Sequence, residues 1–520
     1  MTRFSFAEQP ARSRLRTTRW NLFFNYVSIG LAIISGIVLV PLYLRYLSLD
    51  LYGAWLATGN ILAWLTVIDP GLSAVLQQRA SAAYGKGDIA ELGALLTGGV
   101  LLSGMVALSV LVTGVISSRF LVAWLNLSTT IDAAVVERAF VLAAVGSALM
   151  IFSFGLTAFN QGLQSSLGIG LVFVVTMIGS LMLTVILLYR GLGLLALPIG
   201  LIVRGFGLTI GNAGYLLWRT RNEKLRYPLS LRGVGTLAKL SSYTFIGRGA
   251  GVIASNMDAF VLARYLAPEV APVFVLTRKA PDMSRMFMER PAVAFMPAVA
   301  HLIGEGNLER AREVLLRLLR LTLWLLGLVA AGFMVFNRDF VSLWVGPDLF
   351  AGTGVSTIIV LALVIAVLVN ALSNLCFSLG NIKGNSLAAG VQGLLSVPLS
   401  IIGTWYWGMV GLALAPLLAM LATTAWYYPW VFSRLLVLER SDITGTVREA
   451  AKVLVAATIV RVFFVWVTAS TWVTFILAVA VFTIGYVLVL GTLSKSFRIE
   501  MYGILKNVGR VTTIAPPRIS

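Results

Sequence analysis

One cysteine and one histidine in 520 residues leave little material for redox or metal chemistry. Cys376 sits in an apolar run with no second thiol, so an intrachain disulfide is excluded and the redox compartment is unreadable. His301 follows "PAVA" near the expected end of an apolar span and has no second histidine with which to hold a metal. Charge is scarce as well: Asp, Glu, Lys and Arg make up 12% of the chain, and the acids are the rarer sign, 21 against 40 basic residues. No glycine-rich phosphate loop occurs between apolar segments, and no nucleophile is paired with a base. Those absences argue against an ATPase or a covalent catalyst; no enzyme activity and no cofactor are expected. No small-residue cleavage site closes the first apolar run, about 21–44, which is too long for a signal-peptide core and is expected to be retained.

What the chain does contain is apolar length. Hydrophobic residues make up 58% of it and the mean hydropathy is +0.91. Runs near the length that a helix needs to cross hydrocarbon recur throughout, "WVTFILAVAVFTIGYVLVLG" (472–491) among them. Such blocks are not the short alternating segments of a closed β-barrel. The chain therefore reads as an all-α polytopic membrane protein of about fourteen transmembrane helices. Boundaries that matter below are 52–77 for span 2, 240–263 for span 7, 268–299 for span 8, and 386–407 and 409–433 for spans 11 and 12.

An even number of spans puts both termini on one side. On that topology 27 of the 40 basic residues fall on the side of the termini and 6 on the other. The positive-inside bias then makes both termini cytoplasmic, and it accounts for a net charge of +19 without nucleic acid as a partner. An internal repeat organises the spans. "YLRYLSLDLYGAW" (43–55) parallels "LARYLAPEVAPVF" (262–274), and "YGKGDI" (84–89) parallels "IGEGNL" (303–308), both at an offset of 219. With one added residue, "SRFLVAWLN" (118–126) falls on "NRDFVSLWVG" (337–346), pairing Trp124 with Trp344. The expected organisation is a basic amino terminus (1–19), a six-helix bundle (20–218), a basic linker (219–239) and a second six-helix bundle (240–433). Two extra helices (434–493) and a basic tail (494–520) follow. Six helices being an even number, the two halves share one orientation, about an axis along the membrane normal.

One span breaks the rule of apolarity. "VLTRKAPDMSRMFMERP" (275–291) carries Arg278, Lys279, Asp282, Arg285, Glu289 and Arg290. At about 100° per residue all six fall within an arc of roughly 140°, opposite Leu276, Ala280, Ser284 and Phe287. Six charges facing lipid would cost on the order of 15–20 kcal/mol, against roughly 5 recovered from the apolar residues. Lipid exposure is therefore ruled out. Two readings stay open. Arg278–Asp282 and Arg285–Glu289 have the i, i+4 spacing of intrahelical ion pairs, which would make the face a structural network. Alternatively, the face lines a hydrated cationic cavity for an anionic substrate, with Lys279 and Arg290 left over. Arg204 in "LIVRGFG" and Arg248 in "FIGRGAG" favour the cavity, each lying in a span among glycines that leave room for a ligand or a neighbouring helix. Arg461 in "IVRVFF" is open between the cavity and snorkelling to an interface. Pro281 and Pro291 bracket the charged face and are candidate hinges. Asp69 in "VIDPGL" and Asp258 could couple transport to a proton or sodium gradient, or serve only to cap and pair; Asp282 and Glu289 are further candidates for either role.

"LRYLSLDLYGAWLATGNILAWLTVIDPGLSAVLQQRASAAYGKGDIAEL" (44–92) resembles the amino-terminal signature of the polysaccharide transporter family. That family holds O-antigen and exopolysaccharide flippases of the multidrug/oligosaccharidyl-lipid/polysaccharide exporter superfamily. The features that carry the resemblance are Tyr52-Gly53, Trp55, Asp69, Gly71-Leu72 and "YGKGD". It implies two six-helix bundles forming a V around a central cavity, located in the bacterial inner membrane. It implies, too, a flippase moving undecaprenyl-pyrophosphate-linked oligosaccharide by alternating access, with polysaccharide polymerase and chain-length machinery as partners. Cavity arginines would engage the pyrophosphate; Arg204, Arg248, Arg278, Arg285, Lys279 and Arg290 occupy comparable places here. Two rivals belong to the same superfamily, a lipid II-type flippase and a cation-coupled drug exporter. The second is disfavoured by the lack of an acid in "NLFFNYVSIGLAIISGIVLV". A non-transporting membrane scaffold is the rival of a different kind.

Overall fold

The computed structural model describes residues 11–511 except 67–71, 126, 128–131, 224–226, 229, 240–252, 305–307 and 380; of several helical residues, 290–304 among them, only the backbone is described. Every regular element among the described residues is helical. In order they are α1 (Ala11–Tyr46), α2 (Leu49–Thr66), α3 (Leu72–Lys86), α4 (Ile89–Ser118), α5 (Leu121–Leu125), α6 (Ala133–Gly162), α7 (Ser166–Tyr189) and α8 (Ala196–Asn222). After them come α9 (Asp258–Tyr265), α10 (Val270–Gly304), α11 (Leu308–Val345), α12 (Thr353–Ser378), α13 (Ile382–Ala422), α14 (Thr424–Leu435), α15 (Arg440–Phe464), α16 (Trp472–Leu493) and α17 (Lys495–Val511). Nine stretches of the described residues are long and apolar enough to cross a membrane, and one of them, Lys383–Leu435, holds two of the expected spans. The protein is an all-α, multi-pass membrane protein.

Two helices stop at positions that the repeat equates: α1 ends at Tyr46 and α9 at Tyr265, 219 positions apart. The motif "YGKGD" forms the turn between α3 and α4. Gly87 takes φ +69, a left-handed conformation that ends α3, and the Asp88 carboxylate then accepts the Glu91 amide at 2.9 Å to cap α4. Gly53, of the Tyr52-Gly53 motif, allows a backbone contact: a Cβ there would lie 1.8 Å from the carbonyl oxygen of Pro268.

Spans 11 and 12 are two helical arms of α13 that meet at a non-helical Gly408 (φ 56, ψ −135), the residue between the two expected spans, where the chain reverses. A Cβ on Gly411 would lie 1.8 Å from the Gly403 carbonyl oxygen. Eight residues of straight helix would separate those two positions by about 12 Å. Span 2 corresponds to α2, as far as Thr66, and to α3 from Leu72 on, with 67–71 outside the described residues. Span 7 differs from its expectation: residues 253–255 are helical, the helix lapses at 256–257, and α9 starts afresh at Asp258. The basic tail begins as a helix, α17, from Lys495 to Val511.

The chain divides into two compact units. Unit 1 comprises residues 1–275 and 389–412, and its core gathers Leu76, Ala80, Tyr84, Leu156 and Phe159, with a second group around Leu121, Phe140 and Ala144. Unit 2 comprises residues 276–388 and 413–520. Leu315, Leu372, Cys376, Tyr428 and Phe432 form one core there, and Trp324, Phe336, Phe482 and Tyr486 another.

Candidate functional site

The charged helix, α10, runs without a break through Pro281 and Pro291. Its packed face inside unit 2 is set by buried Leu276, Thr277, Pro281 and Met288. Thr277 is the anchor. Asn337 of α11 donates to the Thr277 carbonyl at 3.0 Å and to Ser356 Oγ of α12 at 2.9 Å, and the Ala351 amide donates to Thr277 Oγ1 at 2.8 Å. Buried polar groups have to find partners of this kind, and the bonds fix the rotation of α10 about its own axis. The sequence reading missed this network; Thr58, 219 positions earlier, is buried as well, but its hydroxyl bonds within its own helix, to the Trp55 carbonyl at 2.8 Å.

With that rotation fixed, the charges fall at the margin of the packed face. Arg278 Nε meets Asp282 Oδ2 at 2.7 Å, and Arg285 Nε meets Glu289 Oε1 at 2.7 Å. Asn370 Nδ2 of α12 donates to the same Glu289 Oε1 at 2.7 Å. The four charged side chains keep between 28% and 46% of their accessible surface, so the pairs are neither dry nor free. Both expected i, i+4 pairs are thus formed, and the face remains open to whatever lies beside it. Lys279, on the same arc, makes no ion pair among the described residues; once the pairs cancel, it is a cation left over on the described part of that arc. Phe287, expected on the side away from the charges, is 55% exposed, while Leu276 on that side is 1% exposed. The arc was drawn correctly, but packing turned the helix so that the charges border the buried face.

Arg204 belongs to unit 1, on α8. Its guanidinium carbon lies 5.5 Å from the centroid of the Phe173 ring, and its Nε is buried with no hydrogen-bond partner among the described residues. The glycines beside it do not leave room for a ligand. A Cβ on Gly205 would meet Leu149 Cβ at 2.7 Å and the Gly146 carbonyl oxygen at 2.8 Å, and one on Gly207 would meet Thr176 at 2.7 Å. They are the seats of α6 and α7, the neighbouring-helix half of the expectation. Asp258 opens the first turn of α9, where the Phe260 amide donates to Asn60 Oδ1 at 3.0 Å. Asp69, Arg248 and the Arg290 side chain lie outside the described residues.

Several basic residues counted as topology signals hold the fold together. Arg219, at the end of α8, donates to the Leu163 carbonyl at 2.7 Å, to Tyr84 Oη at 2.9 Å, to Ser165 Oγ and to Glu223 at 2.7 Å. It thereby fastens the end of α3, the α6–α7 turn and the end of α8. In unit 2, Arg312 pairs with Asp442 and Arg317 with Glu500, while Lys452 bonds Glu449 at 2.6 Å. Apart from the local Arg219–Glu223 and Lys452–Glu449 pairs, only the fold could reveal these roles, because the partners are up to 183 positions apart.

No family model and no curated protein matches the sequence. Solved structures do. The chain is similar to the lipid II flippase MurJ in an inward closed conformation, with a TM-score of 0.66 and 13% identity over 91% of this chain and 98% of that one. It is also similar to a multidrug resistance MATE family transporter of the MOP superfamily in an inward-facing conformation (TM-score 0.64, 13% identity, 78% of this chain and 94% of that one). A mutant form of the Vibrio cholerae MATE transporter VcmN aligns at a TM-score of 0.52 and 18% identity, over 83% of this chain and all 100% of that one. The likeness is one of fold, and it is to transporters rather than enzymes.

Proposed function

We propose that this chain is a flippase for undecaprenyl-pyrophosphate-linked oligosaccharide, an O-antigen or exopolysaccharide repeat unit, acting by alternating access in the bacterial inner membrane with both termini cytoplasmic. The fold shared with a lipid II flippase and with MATE transporters supports a transporter. The observation that carries the choice of substrate is the charge left on α10: among its described side chains, Lys279 is the cation that remains once Arg278 and Arg285 are matched by their acids. A cationic drug would meet repulsion there, whereas a pyrophosphate would find an ammonium group and two guanidinium groups whose acids can be exchanged for phosphate oxygens. Arg204 is a further cation without a charged partner among the described residues. Arg248 and Arg290 join the proposed set on sequence position alone. Asp258, Asp282 and Glu289, and Asp69 by sequence, are the acids through which a proton or sodium gradient would act.

A lipid II-type flippase remains the second reading, favoured by the likeness to MurJ; it shares the pyrophosphate and differs in the glycan. The drug-exporter reading has less behind it, since α1 holds no acidic residue. The test is reconstitution of the full chain into vesicles with fluorescently labelled lipid-linked oligosaccharide in one leaflet. Lys279→Gln should slow translocation by roughly tenfold or more, the range for losing one charge-assisted contact, with Lys279→Arg retaining most of it. Equal translocation by Lys279→Gln and the unaltered protein would sink the proposal.

A further inference from the structure

The segment after α8 runs back over unit 1 along α4 and is fitted to it closely. A Cβ on Gly93 would lie 2.2 Å from the Pro228 carbonyl oxygen, and one on Gly98 would touch Val234 at 3.4 Å and Leu237 at 3.5 Å. The Ser230 amide donates to Thr97 Oγ1 at 3.3 Å, and Tyr227 meets Phe159 edge-on at 5.7 Å. Gly233, at φ +82, turns the strap into a short helical stretch whose Leu237 is 3% exposed. Gly93, Thr97 and Gly98 are successive small residues on one side of α4, and they form the groove in which the strap lies.

Under the strap is a cavity of about 130 Å³ lined by Arg79, Glu91, Leu95, Gly98, Arg232 and Leu237 among others. Its two guanidinium groups come from places 153 positions apart, Arg79 on α3 and Arg232 on the strap. Neither forms an ion pair with Glu91 or with any other described acid, so the cavity carries a surplus of positive charge with its donors uncommitted. The cavity lies beside the α3–α4 turn, at one end of α4, whose 30 residues span about 45 Å and so outreach the roughly 30 Å of hydrocarbon in a bilayer. Arginine forks offer paired N–H donors spaced for phosphate oxygens, and one phosphate can take a fork from each side.

We infer that this cavity binds a phosphate-class anion, which bridges Arg79 to Arg232 and clips the strap onto α3. Two sources have that chemistry: the headgroup of an anionic phospholipid, and pyrophosphate presented from solution or on a carrier. The cavity is built from residues of α3, α4 and the strap, none of them on α10. Glu91 sets its strength, because a carboxylate in the same cavity opposes the bound anion.

The experiment uses the full chain, purified and delipidated in neutral detergent. Native mass spectrometry scores retention of phosphatidylglycerol against phosphatidylcholine, and calorimetry scores binding of inorganic pyrophosphate. For at least one of the two probes, affinity should fall by roughly tenfold or more in Arg79→Gln/Arg232→Gln, rise severalfold in Glu91→Gln, and stay level in the control Arg119→Gln. Selective retention of phosphatidylglycerol that pyrophosphate does not displace assigns the site to the lipid headgroup; pyrophosphate binding without lipid assigns it to pyrophosphate. Proteolysis within 224–239 should slow when the site is filled. Failure of both probes to bind the unaltered protein would overturn the inference, as would a double variant that binds like it while eluting as the same folded species. Because the readout is binding, a flipping assay that fails leaves this result standing, and the reverse holds too.

Discussion

Arg285 Nε and Glu289 Oε1 stand 2.7 Å apart, and that same Oε1 takes a second hydrogen bond from Asn370 of α12. The acid is therefore held from two sides, while the guanidinium is held through one. That asymmetry makes the two halves of the pair differ in what their removal does.

Glu289→Gln should leave Arg285 positive and uncommitted, and so tighten binding of a pyrophosphate-bearing lipid, whereas Arg285→Gln should weaken it. Stability should hardly notice. Arg285 keeps 41% of its side-chain surface, and exposed i, i+4 pairs contribute about 0.3–0.5 kcal/mol. A double-mutant cycle on Arg285 and Glu289, read by thermal unfolding in detergent, should give a coupling near that figure. Coupling above about 1.5 kcal/mol would mean that the pair sits in a dry interior and is structural.

Arg219 tests whether a charge acts as a topology signal or as a fastener. Its side chain is 12% exposed and bonded to four groups. Lysine keeps the positive charge but loses the planar fork. Arg219→Lys should therefore preserve topology, as reported by cysteine accessibility, yet lower stability by about 1–3 kcal/mol through acceptors left unpaired. If the residue acts only through its charge, the substitution will be silent in thermal unfolding.

At the α13 reversal, geometry sets the penalty. Gly411→Ala places a methyl group where the Gly403 carbonyl oxygen already stands, so the two arms must part. Gly408→Ala meets no such wall, since its nearest neighbour is Leu266 at 3.8 Å; it suffers only the strained backbone at φ 56, ψ −135, about 1–3 kcal/mol. The first variant should lose more thermal stability than the second. Equal losses would show that the arms separate freely.

How much of this was legible beforehand depended on whether the signal was local. Span boundaries came through well where hydropathy falls sharply, and the gap between spans 11 and 12 (386–407 and 409–433) coincides with the reversal at Gly408. The ion pairs of α10 were legible because i, i+4 spacing is a property of the helix itself. The rotation of α10 was not. It is set by Thr277, Asn337 and Ser356, a hydroxyl, an amide and a hydroxyl in separate apolar spans whose meeting is a consequence of packing. Arg219 misled for a similar reason: at the end of a span, a fastening arginine and a topology arginine look alike until Tyr84, 135 positions away, is brought beside it.

Arg204 offers the sharpest separation of stability from function. A guanidinium within a membrane span costs about 2.5–3.5 kcal/mol on the insertion scale, and this one recovers little of it. It has a ring contact at 5.5 Å, no ion pair among the described residues, and a buried Nε that bonds to none of them. Methionine matches the length and flexibility of the side chain and can keep the contact with Phe173. Arg204→Met should therefore leave the melting temperature unchanged or raise it. If the arginine serves a headgroup, the same substitution should depress translocation of lipid-linked oligosaccharide, and Arg204→Lys should restore part of it. A variant that is less stable than the unaltered protein and translocates normally would show that the arginine is held by partners in its own unit and has no part in transport.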